Sequence, residues 1–155
     1  MVCGVRVEGL CQASLEEEAG QHVDQHFLSL ADMEIYEFIS QSDAVLARTT
    51  EEIDPSFSKL ILTPELIEVS SQNSEIEGNQ SLLDLEPRTH WHIKFPSETK
   101  KHWIIIDAGD AIKIGALGLM PNFNNPKQIW DGGNAVIQGS LNREEWIDIA
   151  RLPVD

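Results

Sequence analysis

The stretch "RTHWHIKFPSETKKHWIIIDAG", residues 88–109, carries three of the five histidines and two of the four tryptophans. Its first half alternates: Thr89, Trp91 and Ile93 fall on one side of an extended chain, and His90, His92 and Lys94 on the other. Its second half closes with an apolar run that ends on Asp107. This is the pattern of β-sheet with one covered face rather than of a catalytic histidine cluster.

Working outward, further strands are predicted on both sides. "FSKLILT" (57–63) and "LIEVSSQ" (66–72) precede the stretch, separated by Pro64, and the polar run 72–87 reads as a loop. "IKIGALGLM" (112–120), "AVIQGS" (135–140) and "EEWIDIARL" (144–152) follow it. Near the N-terminus, "VCGVRVEG" (2–9) alternates around Val5 and Val7. "LADMEIYEF" (30–38) sets Met33 and Ile35 against Asp32, Glu34, Tyr36 and Phe38. Ser14 and Glu17 form a capping-box pattern, so a short helix is expected over 14–23. Residues 40–56 read as a linker. The expectation is an all-β antiparallel sandwich of eight or nine strands in a single domain spanning 1–155. Its core is expected to hold Trp91, Ile93, Ile104, Ile106, Ile114, Leu117, Val136 and Trp146.

The chain has 155 residues, enough for one ordinary core. Its net charge of −15, from 26 acidic against 11 basic residues, repels phosphate backbones and argues against nucleic acid. No apolar run approaches the ~18 residues of a membrane-spanning helix, the loops 73–81 and 96–101 are polar, and no signal peptide is visible, so no membrane insertion is expected. Cys3 and Cys11 make neither a disulfide framework nor a zinc site. His22 and His26 lack an accompanying H-E-x-x-H pattern, and His90 with His92 lacks a third placed ligand. No G-x-S-x-G elbow or phosphate-cradling glycine loop occurs, so an enzyme is not expected.

The segments "LIEVSSQ", "LLDLEPRTHWH", "HWIIIDAGDAIKIGALGL" and "AVIQGSLNREEWIDI", in that order, resemble the discoidin or coagulation factor V/VIII type C domain. That family has the galactose-binding-like jelly roll and includes bacterial carbohydrate-binding members. The resemblance runs from Leu66 to Ile149 and is closest in "DLEPRTHWHIKF", which is similar to the family's D-G-x-P-x-T-x-W-H-x-x-aromatic. The resemblance implies a non-catalytic glycan-binding module with an extracellular or surface role. It implies that His92 bonds a sugar hydroxyl and Phe95 stacks on the ring, and it puts Asn122 where an arginine is usual. Trp130 is a rim candidate. It also implies a structural calcium ion on Asp84 and Thr89, with Asp32 at the acidic position of the closing strand. Leu85 departs from the family's loop glycine and Ala108 from its leucine.

The family's last two strands would follow Ile149, where only six residues remain. "GVRVEG" and "LSLADMEIYEF" resemble them in the right order. The simplest reading is a circular permutation: residues 1–39 supply the closing strands, 40–56 join the old ends and 57–155 form the main sandwich. The strand at 30–38 should then lie beside 66–72, and the two termini should be close. The alternative function is a structural or assembly component of a virion or surface structure, with a homo-oligomer the natural partner in either case.

Overall fold

The computed structural model describes residues 1–10, 29–38, 57–94, 101–121 and 135–151. The helix expected at 14–23, the linker 40–56, and Cys11, His22 and His26 lie outside them. The described residues form nine strands: β1 (Val2–Leu10), β2 (Ser29–Phe38), β3 (Phe57–Lys59), β4 (Ile67–Val69), β5 (Trp91–His92), β6 (Lys101–Ile112), β7 (Ile114–Pro121), β8 (Val136–Ser140) and β9 (Ile147–Arg151). Two single 3-10 turns, Pro64–Leu66 and Asn79–Leu82, are the described helical segments.

Every described pairing is antiparallel. One sheet runs β4-β6-β1-β8-β9. In the other, β2 is central: β7 pairs along one edge, while β3 and β5 share the opposite edge at its two ends. Val5, Ile67, Ile104 and Ile106 from the first sheet meet Leu30, Met33, Ile35 and Trp91 from the second in one buried cluster, giving a β-sandwich-like architecture.

The alternation in 89–94 is realised: Trp91 and Ile93 are buried, whereas His90 and His92 are half-buried. The strand itself is shorter than expected, because Thr89 and His90 belong to no ladder and a loop serves His92. Its N–H donates to the Glu77 carbonyl (3.2 Å), and its carbonyl accepts from Asn73 N–H (2.9 Å). "FSKLILT" is likewise cut to three residues. Leu60 N–H still bonds the Ile35 carbonyl at 2.8 Å, but the chain then leaves the sheet and Ile61 is 92% exposed.

Two core assignments are corrected. Val136 pairs with Glu8 on the outer face, and its neighbour Ile137, opposite Val7, packs against the core instead. Trp146 lies outside the core cluster. Its ring packs over Gly4 on the outer face, where a Cβ would come within 3.4 Å of it, and the Arg6 guanidinium stacks 4.5 Å from its centroid. Ile114 and Leu117 are partly buried against the core, and a register shift opposite Tyr36 and Glu37 lets both face inward.

The permuted arrangement is matched in one strand and not in the other. β1 lies between β6 and β8, within the strands of 101–149 as expected. β2 does not lie beside 66–72: β4 pairs with β6 in the first sheet, because Ile67 and Val69 match Ile106 and Ile104. The described chain ends are not adjacent either. β1 and β9 both pair antiparallel to β8, so Val2 and Arg151 stand at opposite ends of the sheet.

Trp91 is 0% exposed, and its indole N–H donates to the Ser71 carbonyl at 2.9 Å. Trp91→Ala should therefore destabilise the protein by about 3–5 kcal/mol in urea denaturation. Trp91→Phe, which keeps most of the buried area but orphans the carbonyl, should cost about 1–3 kcal/mol.

Candidate functional site

Of the residues singled out in the sequence, His92 lies on β5 and Asp84 and Thr89 in the loop before it. His92 projects from β5, and its Nδ1 lies 2.6 Å from the Ile93 carbonyl. A carbonyl can only accept, so Nδ1 carries a hydrogen. His90 lies on the same side, the two ring centroids 6.2 Å apart and nearly perpendicular. Glu77 from the preceding loop completes the group. Its Oε1 stands 3.6 Å from His90 Nε2, and its Oε2 accepts from Asn73 Nδ2 at 2.5 Å. His90 Nδ1 is buried without a hydrogen-bond partner. The group offers several half-buried donors and acceptors along one strand edge. Glu77 and Asn73 were not foreseen, because "SQNSEIEGNQ" carries no periodic signal and is brought to β5 by backbone bonds from Asn73 and Glu77 and by the Trp91 indole on Ser71.

The 84–89 loop is closed by its own side chains. Asp84 Oδ1 accepts from Glu86 N–H at 2.9 Å, and Asp84 Oδ2 accepts from the Thr89 hydroxyl at 2.7 Å. Asp84 and Thr89 are thus in direct contact. Leu85 sits at φ 57°, in the left-handed region that glycine enters freely. A leucine holds this conformation at a cost of about 1–2 kcal/mol.

Asp32 is placed differently. It stands on the face of β2 that also carries Glu34 and Tyr36, yet it is only 2% exposed. Its Oδ1 accepts from Met33 N–H at 2.7 Å, and its Oδ2 has no partner. Burial, followed by the charges of Glu34 and Asp84, pushes its carboxyl above the ordinary value, against the pull of the Met33 bond and of Lys59. Both neighbouring carboxylate charges are therefore felt at Asp32, although no hydrogen bond joins it to the 84–89 loop. Glu34 is satisfied: Tyr36 donates to Oε2 at 2.6 Å and Lys59 Nζ pairs with Oε1. Burial works to raise Glu34, but these two bonds outweigh it and the net shift is downward. Burial and the bond to Glu34 push the Tyr36 phenol up to about 12.

Among the described residues, no group of three or more His, Cys, Asp or Glu side chains is set to hold a metal ion. The unpaired Asp32 oxygen beside the charge of Asp84 is the feature that fits a cation. Phe95, Asn122 and Trp130 lie outside the described residues. Comparison with models of protein families, with curated proteins and with solved structures finds no match to this chain.

Two expectations follow. Leu85→Gly should raise stability by about 0.5–1 kcal/mol, the relieved strain less the backbone entropy of glycine. The raised Asp32 carboxyl binds its proton more tightly in the folded state than in the unfolded one. Its contribution is therefore fully present below the ordinary value of 3.8 and is lost as pH rises through the raised folded value. Asp32→Asn should flatten this decline, seen as a smaller loss of melting temperature between pH 4 and neutrality (about the range that brackets a raised carboxyl).

Proposed function

We propose that the chain is a non-catalytic glycan-binding module on a galactose-binding-like jelly roll. In this reading residues 1–39 supply strands to the same domain as the main sandwich of 57–155, with 40–56 as the linker. The observation that carries it is the polar edge at β5, where His92, with a hydrogen fixed on Nδ1, stands beside His90, Glu77 and Asn73. Such groups suit the hydroxyls of a sugar, and Phe95, three residues beyond His92, would supply the flat apolar face for its C–H patch. Asn122 and Trp130 belong to the same proposed pocket. The central places of β1 and β2 support reading the N-terminal strands as part of the same domain.

Calcium is the cofactor this reading carries. Asp84 and Thr89 would hold it from the loop and Asp32 from β2, pinning the segment before Trp91. The unpaired Oδ2 of Asp32 supports the assignment. Calcium takes six to eight oxygens, so loop carbonyls would have to complete the shell.

Each hydrogen bond in a shallow sugar pocket contributes about 0.5–1.5 kcal/mol, so affinity near millimolar, roughly 4 kcal/mol, is expected. Several copies on one surface would then be needed for attachment. A glycan array probed with wild type, His92→Ala and Phe95→Ala tests the reading. Enrichment of one sugar class by wild type, lost in both variants without a change in melting temperature, supports it; identical responses from all three proteins overturn it. Millimolar calcium should raise the melting temperature and chelator reverse the rise, and an unchanged value removes calcium from the account.

A second reading, the structural or assembly role, draws on β9. All five of its residues are exposed, with Ile147 at 74% and Ile149 at 51%, and its outer edge has no partner among the described residues. Stable higher oligomers in sedimentation, together with a blank glycan array, would favour it.

A further inference from the structure

Beside β2 lies a cavity of about 280 Å³, walled by Ile61 and Leu62 from one segment and by Leu83 and Leu85 from another, with Asp32 among its lining residues. That volume is at the small end for ligand pockets. Three features meet there that make poor sense as scaffold. Asp32 is buried with one carboxylate oxygen unpaired. Ile61 and Leu85 expose 92% and 61% of their surface. Leu85 holds a left-handed backbone in which glycine would be unstrained, so the strain secures a leucine side chain at this spot.

We propose that the cavity binds a primary alkylamine, its ammonium group donating to Asp32 Oδ2 and its methylene stem lying against Ile61, Leu62, Leu83 and Leu85. An ammonium is a compact charge with three donors, and one free carboxylate oxygen can hold it while the stem covers apolar surface. The ammonium and a calcium ion would compete for the one unpaired Asp32 oxygen, so the two ligands exclude each other there. An uncharged alkane would leave the carboxylate buried and unpaired, and an anion would be repelled by Asp32, Glu34 and the net charge of −15. An ammonium already approaches this corner: Lys59, which also lines the cavity, pairs with Glu34. That pairing engages one Glu34 oxygen and Tyr36 engages the other, which leaves Asp32 as the acceptor for a second cation.

The test uses the whole chain in a chelator-containing buffer, so that calcium has no part in the outcome. Titration with n-butylammonium, followed by nuclear magnetic resonance shifts or calorimetry, should give saturable binding at least tenfold tighter than 1-butanol. Asp32→Asn should lose at least tenfold in affinity for butylammonium while remaining folded. Leu85→Gly should melt at a higher temperature than wild type yet bind butylammonium several-fold more weakly, an opposition that a purely structural role would not produce. Cadaverine and a lysine blocked at both ends separate the sources: tighter cadaverine assigns a free amine, and equal or tighter lysine assigns a side chain of another protein. Equal binding of amine and alcohol, or of wild type and Asp32→Asn, overturns the proposal. So does the absence of any response to butylammonium; a melting temperature that then rises when calcium replaces the chelator leaves the calcium and glycan readings intact.

Discussion

The ladder between β1 and β6 carries the architecture. Val5 faces Ile106, Val7 faces Ile104 and Arg6 faces Ile105, so one strand near the N-terminus completes a layer made from residues about a hundred positions later. Without β1, β6 and β8 would have no common neighbour in the first sheet. The buried residues Val5, Ile104 and Ile106 would then present an open layer to Met33 and Ile35 across the core. The outer face depends on the same strand. Arg6 bonds Gln138 at 2.7 Å through Nε, Glu8 pairs with Lys101 at 2.7 Å, and Trp146 covers Gly4. The Glu8–Lys101 ion pair, with Lys101 exposed, contributes only about 0–1 kcal/mol. Arg143 spans Glu68 and Asp107 at 2.5 and 3.4 Å, and its stem lies with Trp146 over Gly4.

The parts legible in the sequence were those whose two faces differ in chemistry. In "THWHIKF" one face is apolar and the other imidazole and ammonium, so period two decides the side at once. The same holds for "LADMEIYEF", where Met33 and Ile35 are buried inward and Glu34 and Tyr36 bond each other on the far side. Where two apolar residues are adjacent, alternation has nothing to choose between. Val136 and Ile137 are such a pair, and only their partners Glu8 and Val7 settle which of them faces the core. Trp146 was beyond reach for another reason: its place depends on Gly4, at the other end of the chain.

The site divides in the same manner. Asp84 and Thr89 stand five apart in a local loop, and their contact is local. The left-handed backbone at Leu85 and the burial of Asp32 were not legible in the sequence. Asp32 stands on the polar face of its strand, and segments drawn from residues 59–62 and 83–85 close around it. Those segments were read as strand and loop, and neither label says that their leucines and isoleucine would border a carboxylate rather than a core. Glu77 reached His90 by a loop of no regular period. Sites assembled from backbone-clamped loops leave little trace in hydrophobic patterning.

The wide separation of β1 from its partners also orders events in time. A ribosome adds about 5–20 residues each second, so β1 would be complete for roughly 5–20 s before β6 is made and could pair with it. β2 has a shorter wait for β3 and β5 but a long one for β7. Contacts of such span also slow folding of the finished chain, since loop-closure entropy has to be met before the ladder rewards it. Two strands with β-forming sequences thus spend their early life with unpaired edges. The charges at Arg6, Glu8, Glu34 and Glu37, which stand on alternate positions or near the strand end, are well placed to discourage those edges from pairing with one another or with neighbouring nascent chains.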